Sequence, residues 1–306
     1  MGWTADDIPS QEGRVALVTG ANSGLGLETA RALSAHGATV IMACRSQRRG
    51  ENARSQLMAE GLTRLDLLEL NLADLTEVAR AADVVSDRYG QLDLLINNAG
   101  VMAPPRQLTP QGHELQFGVN HLGHMALTLQ LLPLMEARPD PRVVTVTSGA
   151  QYFGRIRWQD LSWENGYDRY GAYGQSKLAN VMFALELDAR MRSEQKTVRS
   201  LAAHPGLART ELQPTAIASG GNGFEAAAYR LMGPLFQSAA MGALPQLHAA
   251  TAPAANGGDH YGPDQMGGMR GHPTRCRVAP AALDPKQRQR LWSVSEELLQ
   301  AGRSLG

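Results

Sequence analysis

One tyrosine and one lysine stand four residues apart in the segment YGQSK, as Tyr173 and Lys177. The segment opens a stretch of helical period near 173–192, so both side chains share one helix face. An ammonium beside a phenol favours the phenolate, which lowers the tyrosine pKa from its usual value of about 10. The pair therefore predicts a proton donor and acceptor for interconverting an alcohol and a carbonyl. With only three lysines in the chain, chance seldom produces such a pair.

A glycine-rich segment, TGANSGLG at 19–26, follows the first apolar run. Its spacing is G-x-x-x-G-x-G, which differs from the general G-x-G-x-x-G fingerprint, and no Lys-Ser/Thr pair follows as in a P-loop. Glycines between a strand and a helix let backbone N–H groups approach a pyrophosphate at the positive end of that helix. The segment therefore predicts a dinucleotide phosphate site.

The end of the second apolar run bears on which dinucleotide binds. An NAD site needs a carboxylate there for the ribose 2′-hydroxyl, whereas an NADP site needs a cation for the 2′-phosphate. Cys44 occupies the expected acidic position, and Arg45 follows it. Because the guanidinium group suits bidentate phosphate contact, Arg45 favours NADP(H) over NAD(H), with Ser46 and Arg48 as possible helpers.

Short apolar runs alternate with segments of helical period, and the strands and helices that they predict must position the Tyr–Lys pair and the glycine-rich segment. Helices are predicted near 25–36, 47–60, 74–89, 111–137 and 173–192. Near-continuous apolar strands separated by helices indicate a doubly wound α/β fold with a parallel sheet covered on both faces. The predicted strands are Arg14–Thr19, Thr39–Cys44, Leu65–Leu70, Leu92–Asn97, Arg142–Ser148 and Arg199–His204.

The whole chain, 1–306, is predicted to form a single domain with an N-terminal extension over 1–12. After Pro205 the composition shifts to Gly, Ala, Pro and Met until about Gly271. This shift predicts an irregular C-terminal segment over the sheet, with a substrate lid at about 210–250. A final helix is predicted at about 285–299.

Composition and charge exclude several classes of function. With 29 basic and 29 acidic residues the formal net charge is zero, so the chain lacks the excess of basic residues that is typical of nucleic-acid-binding proteins. The two cysteines, Cys44 and Cys276, make no disulfide framework, which favours the cytoplasm. His113, His121 and His124 lie close together but lack a Cys or acidic partner, so no metal site is predicted. No targeting or transmembrane segment is predicted.

Several motifs in a fixed order give the chain a resemblance to the short-chain dehydrogenase/reductase family, from about Gly13 to Asp264. These motifs are TGANSGLG (19–26), NNAG (97–100), Asn120 within FGVNHLGH (117–124), Ser148, YGQSK (173–177) and HPG (204–206). The finer likeness is to the retinol-dehydrogenase-like and protochlorophyllide-reductase-like branch. That likeness rests on ACRS (43–46), FGVNHLGH, HYGPD (260–264) and LWSVSEEL (291–298).

The resemblance implies a Rossmann-type fold and a role for each matching residue. Tyr173 would exchange a proton with the substrate oxygen, and Lys177 would lower the tyrosine pKa and bind the nicotinamide ribose. Ser148 would orient the substrate oxygen, and Asn120 would hold a water on the proton path to Lys177. The implied cofactor-binding residues are Gly20, Asn22, Ser23, Gly24, Leu25, Gly26, Arg45, Asn71, Leu72, Asn98, Ala99, Gly100, Tyr173, Lys177, Pro205, Gly206, Leu207 and Thr210.

The sequence thus predicts an NADP(H)-dependent oxidoreductase that interconverts a carbonyl and an alcohol on a lipophilic small molecule. Two alternatives stay open: light-dependent reduction of a carbon–carbon double bond, as in protochlorophyllide reductase, and a non-catalytic NADP(H)-binding sensor. The retained Tyr173 and Lys177 argue against the sensor. A homo-oligomer, either a dimer or a tetramer, also stays open.

Overall fold

The computed structural model describes residues 2–209, 233 and 236–303. Its sheet has the strand order β3-β2-β1-β4-β5-β6-β7-β8. Every neighbouring pair is parallel except β7 and β8, which are antiparallel. The strands are β1 (Val15–Thr19), β2 (Thr39–Cys44), β3 (Leu65–Glu69), β4 (Leu94–Asn97), β5 (Arg142–Val146), β6 (Arg199–Ala203), β7 (His260–Gln265) and β8 (Arg270–Arg275).

Helices connect the strands, and several begin at a side-chain cap. Asp74 accepts a hydrogen bond from the backbone of Thr76, and Asp168 accepts two from the first turn of its helix. A π-helical turn, Gly118–Gly123, separates two of the helices. The α-helices are α1 (Gly24–Ala35), α2 (Gln47–Ala59), α3 (Leu75–Tyr89), α4 (Leu115–Phe117), α5 (His124–Met135), α6 (Arg169–Ser193), α7 (Ala239–Thr251) and α8 (Pro285–Arg303).

Helices cover both faces of the sheet, as the doubly wound prediction requires. Along β1, Leu17 packs into the layer of α3, α5, α6 and α8, whereas Ala16 and Val18 pack into the layer of α1, α2 and α7. All five residues of β1 are buried, which is the pattern of a strand covered on both sides. The predicted Rossmann-type α/β fold is confirmed.

The region after Pro205 is more regular than its composition predicts. Residues 210–232, 234 and 235, which hold much of the predicted lid, lie outside the described residues. From Ala239 onward, α7 packs against α1 and the sheet with Ala243 and Leu247 buried, so the prediction of an irregular segment is wrong there. The two added strands contain Pro263 and Pro273, which pair beside an irregularity in register. Pro273 lies on the edge strand β8, and Pro263 lies beyond the two residues of β7 that pair with β6, so neither missing N–H interrupts a ladder with a further strand.

The N-terminal residues and the final helix both pack against this domain. Ile8 is buried, and the Trp3 ring lies 5.0 Å from the His248 ring on α7. Near the other end, the Trp292 ring of α8 stacks on the Phe183 ring of α6. Among the described residues, no helix has both the length and the apolar character that crossing a membrane requires.

Candidate active site

The glycine-rich loop joins β1 to the first turn of α1. Gly20 and Gly24 have φ angles of 69° and 54°, which glycine adopts at little cost. A Cβ added to Gly26 would lie 2.3 Å from the carbonyl oxygen of Gly20, so only glycine fits where the helix passes the loop. The loop therefore forms a backbone cradle at a helix N-terminus, which fits the pyrophosphate of a dinucleotide.

This cradle opens into a cleft of about 400 Å³ that runs along the carboxyl ends of the strands. The predicted cofactor-binding residues that line this cleft are Gly20, Asn22, Ser23, Gly24, Leu25, Gly26, Arg45, Asn71, Leu72, Asn98, Ala99 and Gly100. Val101, Met102, Pro104, Leu115 and Val119 line it as well, which adds an apolar portion. Most of the predicted cofactor-binding residues therefore share one cleft of the size that small ligands occupy.

Two arginines line this cleft, and only one of them is among the predicted cofactor-binding residues. Arg45 is exposed at the end of β2, as predicted. Arg49 is the second, whereas Arg48 does not line the cleft and Ser46 caps α2 by accepting a hydrogen bond from the backbone of Arg49. Since α2 begins at Gln47, Arg48 and Arg49 are successive residues of its first turn and point in different directions, and only Arg49 faces the cleft.

The NNAG segment is held to the glycine-rich loop by Thr19. The backbone N–H groups of Asn98 and Ala99 donate to Thr19 Oγ1, each over 2.9 Å. Asn98 Nδ2 donates to the carbonyl of Thr19, and Gln246 Nε2 donates to Asn98 Oδ1. Since these partners occupy its amide, Asn98 shapes the cleft wall by holding two loops together.

Asn71 follows β3 on the predicted adenine side of the cleft. Its Oδ1 accepts a hydrogen bond from the backbone of Ala73, and its carbonyl accepts one from the backbone of Asp74. Leu72 is buried, and a Cβ on Gly123 would lie 2.3 Å from the Leu72 carbonyl oxygen. The turn after β3 therefore depends on these close contacts for its shape.

The catalytic candidates on α6 are buried. Tyr173 is 7% exposed and Lys177 is 3% exposed. Burial raises the pKa of Tyr173 to about 12, and the hydrogen bond with the Ser148 side chain opposes that rise. Burial also lowers the pKa of Lys177 to about 8.

The structure places Lys177 close to Tyr173, and the role of Lys177 in lowering the tyrosine pKa stays a prediction. Lys177 Nζ lies 5.7 Å from the centroid of the Tyr173 ring and donates to the Val146 carbonyl over 3.2 Å. Burial raises the pKa of the phenol, and the Ser148 side chain favours its ionised form. Tyr173 and Lys177 share one helix face, as their spacing predicts.

Asn120 lies in the π-helical turn between α4 and α5 and is fully buried. Its Oδ1 accepts from the Val101 backbone over 2.8 Å, and its Nδ2 donates to the Val101 carbonyl and to Ser176 Oγ, each over 2.9 Å. A Cβ on Gly100 would lie 3.2 Å from Asn120 Oδ1 and 3.5 Å from Lys177 Nζ. Asn120 Oδ1 and Lys177 Nζ therefore both lie beside Gly100 of the NNAG segment.

The HPG segment after β6 does not line the cleft itself. Pro205 accepts a hydrogen bond from Gln237 Nε2, and the Leu207 backbone donates to the Met269 carbonyl. Gly206 has a φ angle of 64°. Thr210 lies outside the described residues. The described contacts of this segment tie it to the hairpin of β7 and β8, which sequence reasoning missed.

Beside this segment, His204, His260 and Cys276 place possible metal-ligand atoms within 4.8 Å of one another. The hydrogen bonds favour a packing role instead. His260 Nδ1 lies 2.8 Å from the Arg277 carbonyl and its Nε2 lies 3.3 Å from Gln151 Nε2, so both ring nitrogens have partners. His204 Nδ1 also has a partner, since it accepts a hydrogen bond from the Gly206 N–H.

Comparison with known proteins places these motifs in a family. The family model for short chain dehydrogenases matches residues 14–219. Human retinol dehydrogenase 12 is 38% identical over 291 residues, which cover 94% of this chain and 86% of that protein. Mouse polyprenol dehydrogenase is 38% identical over 302 residues, covering 96% and 86%. A crystal structure of an uncharacterized protein from Mycobacterium paratuberculosis is 40% identical, covers 98% of each chain and has a TM-score of 0.81.

The matched segment contains the glycine-rich loop, Asn120, Ser148, Tyr173 and Lys177. The cleft fits the NAD(P) cofactor that the family binds. The reaction is the oxidation of a CH–OH group or the reduction of a C=O group on a small molecule. The chain therefore belongs to the short-chain dehydrogenase/reductase family, in its retinol-dehydrogenase-like branch.

Proposed function

We propose that the protein is an NADP(H)-dependent oxidoreductase that interconverts a carbonyl and an alcohol on a lipophilic small molecule. The observation that carries the proposal is the burial of Tyr173 and Lys177 on one face of α6, with Lys177 Nζ 5.7 Å from the centroid of the Tyr173 ring. The side chain of Ser148, two residues after β5, favours the ionised form of Tyr173 and supplies a second hydroxyl group. Such a pair can hold one substrate oxygen while a proton is transferred.

The cofactor preference rests on charge at the end of β2. Arg45 and Arg49 line the cleft there, and Cys44 supplies no carboxylate for a ribose 2′-hydroxyl. Guanidinium groups suit a 2′-phosphate because they offer several donors in a fixed plane. These two arginines, the glycine-rich loop and Lys177 are the residues that would hold NADP(H).

A bound NADP(H) supplies or accepts the hydride. Tyr173 Oη donates a proton to the carbonyl oxygen in reduction and accepts it in oxidation. Ser148 Oγ orients the substrate oxygen, and Asn120 and Lys177 form the inner end of the proton path. Because the pKa of Tyr173 is raised to about 12, the phenol keeps its proton at neutral pH, which suits reduction.

A lipophilic substrate is supported by apolar side chains in the cleft and by one beside Tyr173. Met102, Leu115 and Val119 line the cleft. Phe153 is 60% exposed, and its ring lies against Gly174, next to Tyr173. The names of two relatives specify retinol and polyprenol, which are both isoprenoid alcohols. We therefore propose an isoprenoid or similarly apolar aldehyde or alcohol as the substrate class.

The test is to follow NADPH absorbance with a panel of aldehydes and ketones, in the dark and in the light. The panel contains an isoprenoid aldehyde series of increasing chain length and short polar ketones as contrasts. We expect dark turnover that improves with chain length. Turnover only in light would favour the double-bond reductase, and NADPH binding without any turnover would favour the sensor. The cytoplasmic location, the lid and the oligomeric state stay predictions.

A further inference from the structure

His124 is a buried side chain between the glycine-rich loop and Asn120, and the proposed mechanism does not use it. It is the first residue of α5 and is 1% exposed. Its Nε2 lies 2.9 Å from Thr19 Oγ1, and its Nδ1 lies 3.0 Å from the backbone carbonyl of Asn120. The His124 ring therefore contacts both the glycine-rich loop, at Thr19, and the catalytic candidate Asn120.

Counting protons assigns the direction of each hydrogen bond. Thr19 Oγ1 accepts two backbone N–H groups, from Asn98 and Ala99, which occupy both of its lone pairs. Its own proton is then directed to His124 Nε2 at 2.9 Å, which is closer than the Ile96 carbonyl at 3.3 Å. The imidazole proton is therefore on Nδ1, where it donates to the Asn120 carbonyl.

The π-helical turn makes this arrangement possible. The backbone N–H of His124 bonds to the His121 carbonyl, while the His124 ring reaches the Asn120 carbonyl. The Asn120 amide donates to Ser176 Oγ, which donates to the carbonyl of Tyr173 over 2.9 Å. A continuous series of hydrogen bonds thus joins Thr19 to the helix turn that carries Tyr173.

The ring is held in its neutral form. A second imidazole proton would place a donor against Thr19 Oγ1, whose lone pairs are already used. Burial, assisted by the nearby charge of Lys177, lowers the pKa of His124 to about 4. Both nitrogens therefore keep their assigned roles across the neutral range.

We infer that His124 is a positioning residue that keeps the glycine-rich cofactor loop and Asn120 in register through Thr19. The inference rests on the proposed function, because the register has catalytic value only if Asn120 serves the proton path to Lys177. Loss of the ring should therefore disturb two properties at once. The cofactor loop should bind less tightly, and proton transfer should slow.

The test compares two buried histidines three residues apart. His124→Phe keeps a planar ring but removes both hydrogen bonds. His121→Phe is the matched control, because His121 is also 1% exposed but bonds to Ser295 of α8 instead of the site. His124→Asn retains a donor near the Nδ1 position and loses only the bond to Thr19. Each variant is measured for melting temperature, NADPH affinity by fluorescence titration, and kcat and KM with the best aldehyde from the panel.

We expect His124→Phe to lower kcat by about 10- to 100-fold and to weaken NADPH binding by about fivefold. His121→Phe should lower the melting temperature without either loss. His124→Asn should recover part of kcat through its bond to the Asn120 carbonyl, while its NADPH affinity stays weak. Equal losses in the two Phe variants, or an Asn variant no better than Phe, would overturn the inference. If the parent turns over no carbonyl, the proposed function fails, and the NADPH titrations alone then decide whether His124 supports the loop.

Discussion

The cleft at the glycine-rich loop and helix α6, which carries the catalytic candidates, differ in composition and in exposure to solvent. The cleft is made mainly of backbone and small side chains around Gly20, Gly24 and Gly26, and its charged residues Arg45 and Arg49 are exposed. On α6, by contrast, Tyr173 and Lys177 are almost completely buried, and burial raises the pKa of Tyr173 and lowers the pKa of Lys177.

This difference in exposure predicts which substitutions should change activity or cofactor affinity strongly and which only weakly. Exposed arginines act through water, which screens their charges, so each contributes modest binding energy. Buried groups act where water cannot replace them, so losing one proton donor there leaves the chemistry without a substitute. Substitutions at α6 should therefore change rates strongly, and substitutions at the cleft should change affinities moderately.

The largest effect is expected for Tyr173→Phe. The change keeps the ring and removes the proton donor, so turnover should fall by roughly 10²- to 10⁴-fold with NADPH affinity nearly preserved. Tyr170→Phe, three residues earlier on the same helix, is the matched control and should keep its activity. Full carbonyl reduction by the Tyr173 variant would remove the contrast between the two regions, because the buried phenol would then be dispensable.

The next effect concerns pH and Ser148. Alcohol oxidation needs the phenolate, so its rate should rise with pH through the range below the Tyr173 pKa of about 12. Ser148→Ala removes the bond that favours the phenolate, so the rise should move to higher pH and oxidation at pH 8 should fall by about 10- to 100-fold. Ser148→Thr keeps a hydroxyl and should retain the parent profile. An unchanged profile in Ser148→Ala would show that Ser148 does not set this pKa.

A moderate effect is expected for Arg45→Ala. NADPH should bind about 5- to 150-fold more weakly, since one charge-assisted contact is lost, while NADH affinity should stay the same. Arg48→Ala is the control, because Arg48 is exposed but does not line the cleft. Arg49→Ala should resemble Arg45→Ala. Calorimetry with both cofactors decides the matter, and equal losses for NADPH and NADH would remove Arg45 from the phosphate site.

The smallest effect is expected for Asn71→Asp. A carboxylate can still accept the bond from the Ala73 backbone, so the turn should persist. NADPH affinity should change by less than about threefold, because Asn71 lies on the predicted adenine side of the cleft and both arginines are kept. A larger loss, measured by the same titration, would mean that the amide group of Asn71 itself contacts the cofactor.

Much of the fold could be predicted from local patterns. The apolar runs located six of the strands, from Val15–Thr19 to Arg199–Ala203, to within two residues at each end. The hairpin of β7 and β8 escaped prediction because its segments HYGPDQ and RGHPTR carry prolines and charges that are atypical of strands. Their pairing depends on β6, and no local pattern reports such a distant partner.

The amino-acid order by itself determined which residues share a loop or a helix face. The glycine spacing at 20, 24 and 26 and the pair Tyr173 and Lys177 are local features, since backbone geometry relates residues only a few positions apart. Only the tertiary structure decided which groups meet across elements. Burial raises the pKa of Tyr173, Arg49 rather than Arg48 faces the cleft, and His124 joins Thr19 to Asn120. These outcomes depend on burial and on contacts between residues far apart in the chain, because desolvation and hydrogen-bond partners are properties of the packed interior.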